Sequence, residues 1–216
     1  MAITRPFDTH ADMYEQWFQK HKMVYETELE AIRLILPEKA VNGDGEPAGV
    51  EIGAGSGLFA SRLGISYGLE PSAVMLEKAK ERGLEMKQGV AEKLPYPDSC
   101  FDYTLMVTAI CFLDDMQKAF HEIRRVLKTG GVAIFGFVDK DSPLGQQYQQ
   151  HKEENVFYAP ATFYSATEVL ENLEETGFTT ESVHQTVFGD LDTISSVQPI
   201  EEGYGKGGFV VLKAVK

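Results

Sequence analysis

Basic residues are scarce in this 216-residue chain: 20 Lys and Arg stand against 33 Asp and Glu, a formal net charge of -13. Such a surface repels a phosphate backbone, and no basic run exceeds Arg124-Arg125, so neither nucleic acid nor an anionic membrane is an expected partner. Long apolar runs are missing too. Nothing approaches bilayer-spanning length, and the opening MAITRPFDTHADMYEQW lacks the basic-then-apolar pattern of a secretory leader. Cysteine is rare: Cys100 and Cys111 form no C-x-x-C pair, and each lies in or beside an apolar run. That suits small buried hydrophobes better than a disulfide or a metal site. These absences leave a soluble, cytoplasmic, metal-free protein, with length for a single globular domain.

Hydrophobic periodicity supplies the elements. Met13, Trp17, Phe18, Met23, Val24, Leu29, Ile32 and Ile35 recur at roughly helical spacing up to Pro37, and VNGDGEPAG reads as a loop. From Val50 the pattern alternates. GVEI, ISYGLE, LEMKQGV, FDYTLMVTAICF and VAIFGFV read as strands. Leu58–Leu63, SAVMLEKAKERG and DDMQKAFHEIRRVLKTGG read as the helices between them, the last expected to end at Gly130. A polar, irregular stretch runs from Asp139 to Phe163. SATEVLENLEETGF is then a helix opened by a Ser165/Glu168 capping box, and SVHQTVF and GGFVVLKAV close the chain as strands. Alternation of this kind builds a Rossmann-like, mostly parallel sheet with helices on both faces. The last two strands have no helix between them, so one of them runs antiparallel.

In such a sheet a ligand sits at the carboxyl ends of the strands, and GVEIGAGSGLFA is the first turn to reach that edge. Gly53, Gly55 and Gly57 allow a tight turn and close backbone approach. A dinucleotide fingerprint needs its third glycine at position 58, which is Leu58. Glu51, two places before Gly53, repels a pyrophosphate and favours an ammonium group. Glu70, ending the second strand seventeen residues after Gly53, is placed to accept both hydroxyls of a ribose.

These motifs, EIGAGSG, GLEPSAVMLEKAK, GVAEKLPYPDSCFD and RRVLKTGGVAIFG, resemble in order and spacing those of the class I S-adenosylmethionine-dependent methyltransferases. The likeness covers about Val50 to Phe137 and is nearest to the small-molecule branch with the ubiquinone and menaquinone C-methyltransferases. It implies a seven-stranded sheet and S-adenosyl-L-methionine as cofactor, leaving S-adenosyl-L-homocysteine as product. Carried over by position, Gly53, Ala54 and Gly55 would contact the methionine part, and Glu51 would steady its amino group. Glu70 would hold the ribose, Pro71 and Met75 would flank the adenine, and Ala91 with Glu92 would meet the ring edge. Thr108 would face the methyl group. Many relatives have Asp where this chain has Val90, so their side-chain polar contact is not expected there, while backbone recognition is unaffected.

The domain is expected to divide into an N-terminal helical lid (1–40), a cofactor-binding core (48–138), a lid over the acceptor (139–163) and a C-terminal helix with strands (164–216). Tyr14, with Trp17 and Phe18, would cover the cofactor, as the resemblance also implies. The length of the irregular 139–163 segment makes it the acceptor lid, with Tyr148, Phe157, Tyr158 and Phe163 bordering the acceptor. Methyl transfer from a sulfonium depends mainly on alignment and exclusion of water. Tyr14, Thr108 and Tyr158 are the candidates near the methyl group, and no general base stands out among the five histidines. The expected activity is methyl transfer to a small molecule by in-line displacement. The alternatives are a non-catalytic binder of the same cofactor and, more remotely, a nucleotide-dependent oxidoreductase. Neither the acceptor nor the oligomeric state is legible.

Overall fold

In the computed structural model, which describes residues 3–37 and 48–216, the chain opens with two helices, α1 (Arg5–Lys20) and α2 (Lys22–Ile35). Most of the expected VNGDGEPAG loop, and residues 1–2 and 38–40 of the expected lid, lie outside the described residues. Then follow β1 (Gly49–Ile52), α3 (Leu58–Leu63), β2 (Tyr67–Glu70), α4 (Ala73–Glu81), β3 (Glu85–Gln88), β4 (Phe101–Val107), α5 (Met116–Val126) and β5 (Leu127–Val138). The C-terminal part holds α6 (Pro143–Gln150), α7 (Ala166–Glu175), β6 (Thr179–Thr186), β7 (Glu201–Glu202) and β8 (Phe209–Val215).

The strands form one sheet in the order β3-β2-β1-β4-β5-β8-β6-β7. β3 through β5 are mutually parallel, and β8 is antiparallel to both β5 and β6. The expected reversal at the chain end is therefore present. The strand count is eight rather than seven: the additional strand is the two-residue β7, whose Glu201 and Glu202 pair with Gln185 and His184.

Successive side chains of a strand point to opposite faces, and β5 divides accordingly. Ala133, Phe135 and Phe137 join the core beneath α5 and α7. Val132 and Ile134 join the core beneath α2 and α3. The stripe on α5 (Met116, Ala119, Phe120, Ile123, Val126) is buried as its spacing predicts.

Among the differences from the sequence expectation, two boundaries move for a tertiary reason and one helix forms from local signals. α5 stops at Val126 rather than Gly130, because the Arg125 and Val126 carbonyls accept the Ser99 and Cys100 N–H groups and Leu127 pairs with Phe101. β4 ends at Val107 rather than Phe112: Thr108 turns the backbone to φ +50 and donates its N–H to the Gly136 carbonyl at 2.7 Å. The stretch expected to be irregular contains α6, capped by Ser142, whose hydroxyl accepts the Gly145 N–H, and started by Pro143. The capping box on α7 forms as expected, with Ser165 and Glu168 each accepting the other's backbone N–H.

Candidate functional site

The turn after β1 is held by its neighbour strand. Gly53 and Ala54 both donate their N–H to the Leu69 carbonyl, at 2.8 and 3.0 Å. Gly53, Gly55 and Gly57 all take positive φ, at 72, 55 and 79 degrees, the left-handed region that costs other residues about 1–2 kcal/mol each. Gly55 N–H reaches Glu70 Oε2 at 2.9 Å, and Glu70 Oε1 accepts the Ser72 N–H at 2.8 Å. Burial pushes the Glu70 carboxyl up to about 7, against the pull of those two donors.

Glu51 lies beneath the turn. Its Oε2 accepts the Ala60 N–H at 2.8 Å, in the first turn of α3, and burial lifts its carboxyl to about 8. It is not among the residues facing the cavity described next, and neither is Ala54.

A cavity of about 460 Å³ opens at the carboxyl ends of β1, β2 and β4. Of the residues expected to hold the cofactor, Gly53, Gly55, Glu70, Pro71 and Met75 line it. Ala91, Glu92, Thr108 and Tyr14 line it as well. Glu92 also braces the start of α5, since its Oε1 accepts the Asp114 N–H at 2.8 Å. Tyr148, Phe157 and Tyr158 face the same space, whereas Phe163 lies behind them, its ring 5.6 Å from that of Tyr158.

The two expected lids touch. Phe7 and Tyr14 of α1 pack against Phe157, with ring centroids 5.4 and 5.9 Å apart, and Phe7 also meets Phe112 at 5.1 Å. Trp17 lines the cavity beside Phe18, which also packs on Tyr25 and Phe59. Polar contacts clamp α1 onto α4 and the loop before it. The Ser72 hydroxyl donates to Asp8 at 2.6 Å, Lys78 pairs with Asp12 at 2.8 Å, and Arg82 pairs with Glu15 at 2.8 Å.

Charge in the cavity is of one sign. Glu28, Glu70, Glu92, Asp114 and Glu154 line it, and no Lys, Arg or His is among its described lining residues. The histidines lie elsewhere: His21 bonds the Trp17 carbonyl and Asp192, His151 pairs with Glu154, and His121 is exposed on α5. Cys111 is a free thiol, pushed up to about 12 by burial, with Sγ 3.5 Å from the Thr108 carbonyl. Among the described residues no cluster of three or more His, Cys, Asp or Glu is arranged to hold a metal ion, and no helix is long and apolar enough to cross a membrane.

Sequence reasoning missed Glu28, Phe7 and Phe112. The signal for Glu28 is present: it falls on the stripe of α2, four residues from both Val24 and Ile32, where a hydrophobe is the rule. For Phe7 and Phe112 there is none, because only the folded chain brings them together.

Residues 50–135 match a family described as a methyltransferase domain. An uncharacterized protein of Methanocaldococcus jannaschii is 38% identical, over 97% of this chain and 98% of its own length. A solved structure from Thermotoga maritima, described as a SAM-dependent methyltransferase and possible histamine N-methyltransferase, is 43% identical. It superposes with a TM-score of 0.92 and covers 98% of this chain and 99% of its own. The demethylmenaquinone methyltransferase of Chlorobaculum parvum is 28% identical over 44% of this chain and 42% of its own.

Proposed function

Because this chain belongs to the class I S-adenosylmethionine-dependent methyltransferases, we propose that it binds S-adenosylmethionine in the cavity and transfers the methyl group to a small, largely apolar acceptor by in-line displacement. The observation that carries this reading is one continuous cavity joining the Glu70–Gly55 pair to an aromatic chamber under α1 and the 139–163 segment.

The residues fit that cofactor. A Cβ on Gly55 would come within 3.6 Å of the Tyr14 hydroxyl and 3.7 Å of Met75 Cε, so the bare backbone keeps the seat open. Each Glu70 oxygen accepts one backbone N–H and retains a lone pair for a ribose hydroxyl. Five acids, with no base among the described lining residues, suit a cationic ligand and disfavour a pyrophosphate. That last point counts against the oxidoreductase alternative.

When bound, the cofactor supplies an electrophilic methyl on a good leaving group. The protein's task is then placement. Glu70 would hold the sugar, and Pro71 and Met75 would flank the base. Ala91 presents backbone to the ring edge, with Glu92 beside it, while Gly53 and Gly55, which line the cavity, seat the amino-acid tail. Glu51, held on Ala60, supports the turn from below. Thr108, aimed into the cavity by its left-handed backbone, and Tyr14 border the methyl group. Tyr14 has its own proton firmly held, since burial and the charges of Glu51, Glu70 and Glu28 raise its hydroxyl and only a hydrogen bond with Thr108 opposes them. Tyr158, likewise raised by burial, closes the acceptor side as a neutral wall. Alignment and dehydration of this kind are worth roughly 7–11 kcal/mol of barrier in favourable cases.

The test is release of S-adenosylhomocysteine across a panel of small acceptors. Acceptor-dependent release supports an enzyme. Tight cofactor binding with no consumption over the whole panel would favour the non-catalytic alternative.

A further inference from the structure

Glu28 is the one carboxyl lining the cavity that has no hydrogen bond or ion pair among the described residues. Glu70 and Glu92 hold backbone N–H groups, and Glu154 pairs with His151. It is 5% exposed, on the inward face of α2. A carboxyl buried without a partner weakens a fold, and a ligand that brings a donor offsets that cost. Its negative charge is felt by Tyr14 of α1, Tyr25 of α2, Tyr148 of α6 and Tyr158. Tyr148 and Tyr158 stack with centroids 4.7 Å apart. A lone carboxyl among aromatic faces, in a space that no cationic side chain of the described residues lines, is a receptor for a cation.

We propose that Glu28, with Tyr148 and Tyr158, forms a subsite for a protonated amine, so that the methyl acceptor is a small amine with an apolar body and Glu28 takes the proton its nitrogen must lose. This rests on the methyl-transfer reading above. Burial sets the Glu28 carboxyl at about 8, so in the free protein at pH 7 it is mostly protonated. The groups facing it are tyrosines whose hydroxyls burial raises, so none of them titrates in this range. An alkylammonium, charged at pH 7 as lysine is, therefore expels one proton on binding. Within the complex Glu28 takes a proton from the ammonium and leaves a neutral amine. The nitrogen lone pair forms the N–C bond while the C–S bond breaks with its electron pair going to sulfur. The nitrogen emerges as a methylated ammonium, carrying the charge that sulfur has lost, and Glu28 is back in its protonated resting form.

The experiment is calorimetry at pH 7 on protein saturated with S-adenosylhomocysteine, in two buffers of different ionisation enthalpy. The probes are benzylamine, phenethylamine and tryptamine with their matching alcohols. At least one amine should bind tenfold or more tighter than its alcohol and release close to one proton. In Glu28→Gln that preference and the proton release should vanish, with S-adenosylhomocysteine affinity unchanged. The amine subsite is refuted if no amine binds, if the alcohols bind as tightly, or if Glu28→Gln keeps the preference. The wild-type comparison decides the matter even if the variant fails to fold. Wild-type protein that takes up no S-adenosylhomocysteine would refute the methyl-transfer reading itself, a different failure.

Discussion

Glu70 Oε2, at the last position of β2, accepts the Gly55 N–H of the turn after β1 at 2.9 Å. One hydrogen bond thus fixes the two elements expected to hold the sugar and the amino-acid tail of the cofactor, and it aims the carboxylate along the mouth of the sheet. Replacing Glu70 with Ala should weaken S-adenosylhomocysteine binding by roughly 1.5–3 kcal/mol, the scale of charge-assisted hydrogen bonds. Isothermal titration of the two proteins measures this, and equal affinities would remove Glu70 from the site.

The same carboxyl gives a pH dependence with a defined sign. Burial holds it at about 7 in the free protein, and ribose hydroxyls would donate to its ionised form. Cofactor affinity should therefore be full above pH 8 and fall as pH drops through 7, approaching tenfold per unit. In Glu70→Gln that slope should flatten. A wild-type affinity that is level from pH 5 to 8 would contradict it.

Stability should move with pH in a related way. Glu28 and Glu51 are both raised to about 8, far above their value in an unfolded chain. Between about pH 4.5 and 8 the native state therefore binds more protons than the unfolded state, and stability falls as pH rises through that window. Each group contributes roughly 5 kcal/mol at most. Denaturant melts of ligand-free protein should show the decline, and Glu28→Gln should make it shallower. A decline of unchanged steepness would mean that Glu28 is not desolvated.

The seat at Gly55 is sensitive to a single methyl. Gly55→Ala imposes a side chain at φ +55 and should cost about 1–2 kcal/mol of stability. It should also lower cofactor affinity by more than that strain requires of a remote site, because the added Cβ enters the space below Tyr14 and Met75. Melting curves with and without S-adenosylhomocysteine separate the two effects.

On the acceptor side, Tyr158→Ala should impair turnover while leaving cofactor affinity near normal, since Tyr158 packs on Tyr148 and Phe163. The reverse pattern would move Tyr158 to the cofactor end.

Much of this was legible because the chemistry is local in sequence. β1, its glycine turn, α3 and the Glu70 end of β2 fall within twenty-two residues, and period and spacing locate them. The misjudged boundaries are those decided at a distance. Nothing in DDMQKAFHEIRRVLKTGG reveals that Ser99 and Cys100 will claim the last carbonyls of its helix. The α6 helix was readable from Ser142-Pro143, a cap followed by a helix-starting proline, but a polar stretch without an apolar stripe conceals it. The aromatic ceiling was half visible: Tyr14 and Phe157 stand in candidate lids, yet their meeting with Phe7 and Phe112 depends on how α1 docks. Glu28 was the most informative residue to pass over, a charge on a stripe where only burial explains its neighbours.

Titration of ligand-free protein with S-adenosylmethionine and with S-adenosylhomocysteine, followed by calorimetry, tests the central claim most directly. One site per chain should take up both ligands at micromolar or tighter affinity, weakened at least tenfold by Glu70→Ala. Absence of heat with both ligands, or binding indifferent to Glu70, would contradict the account.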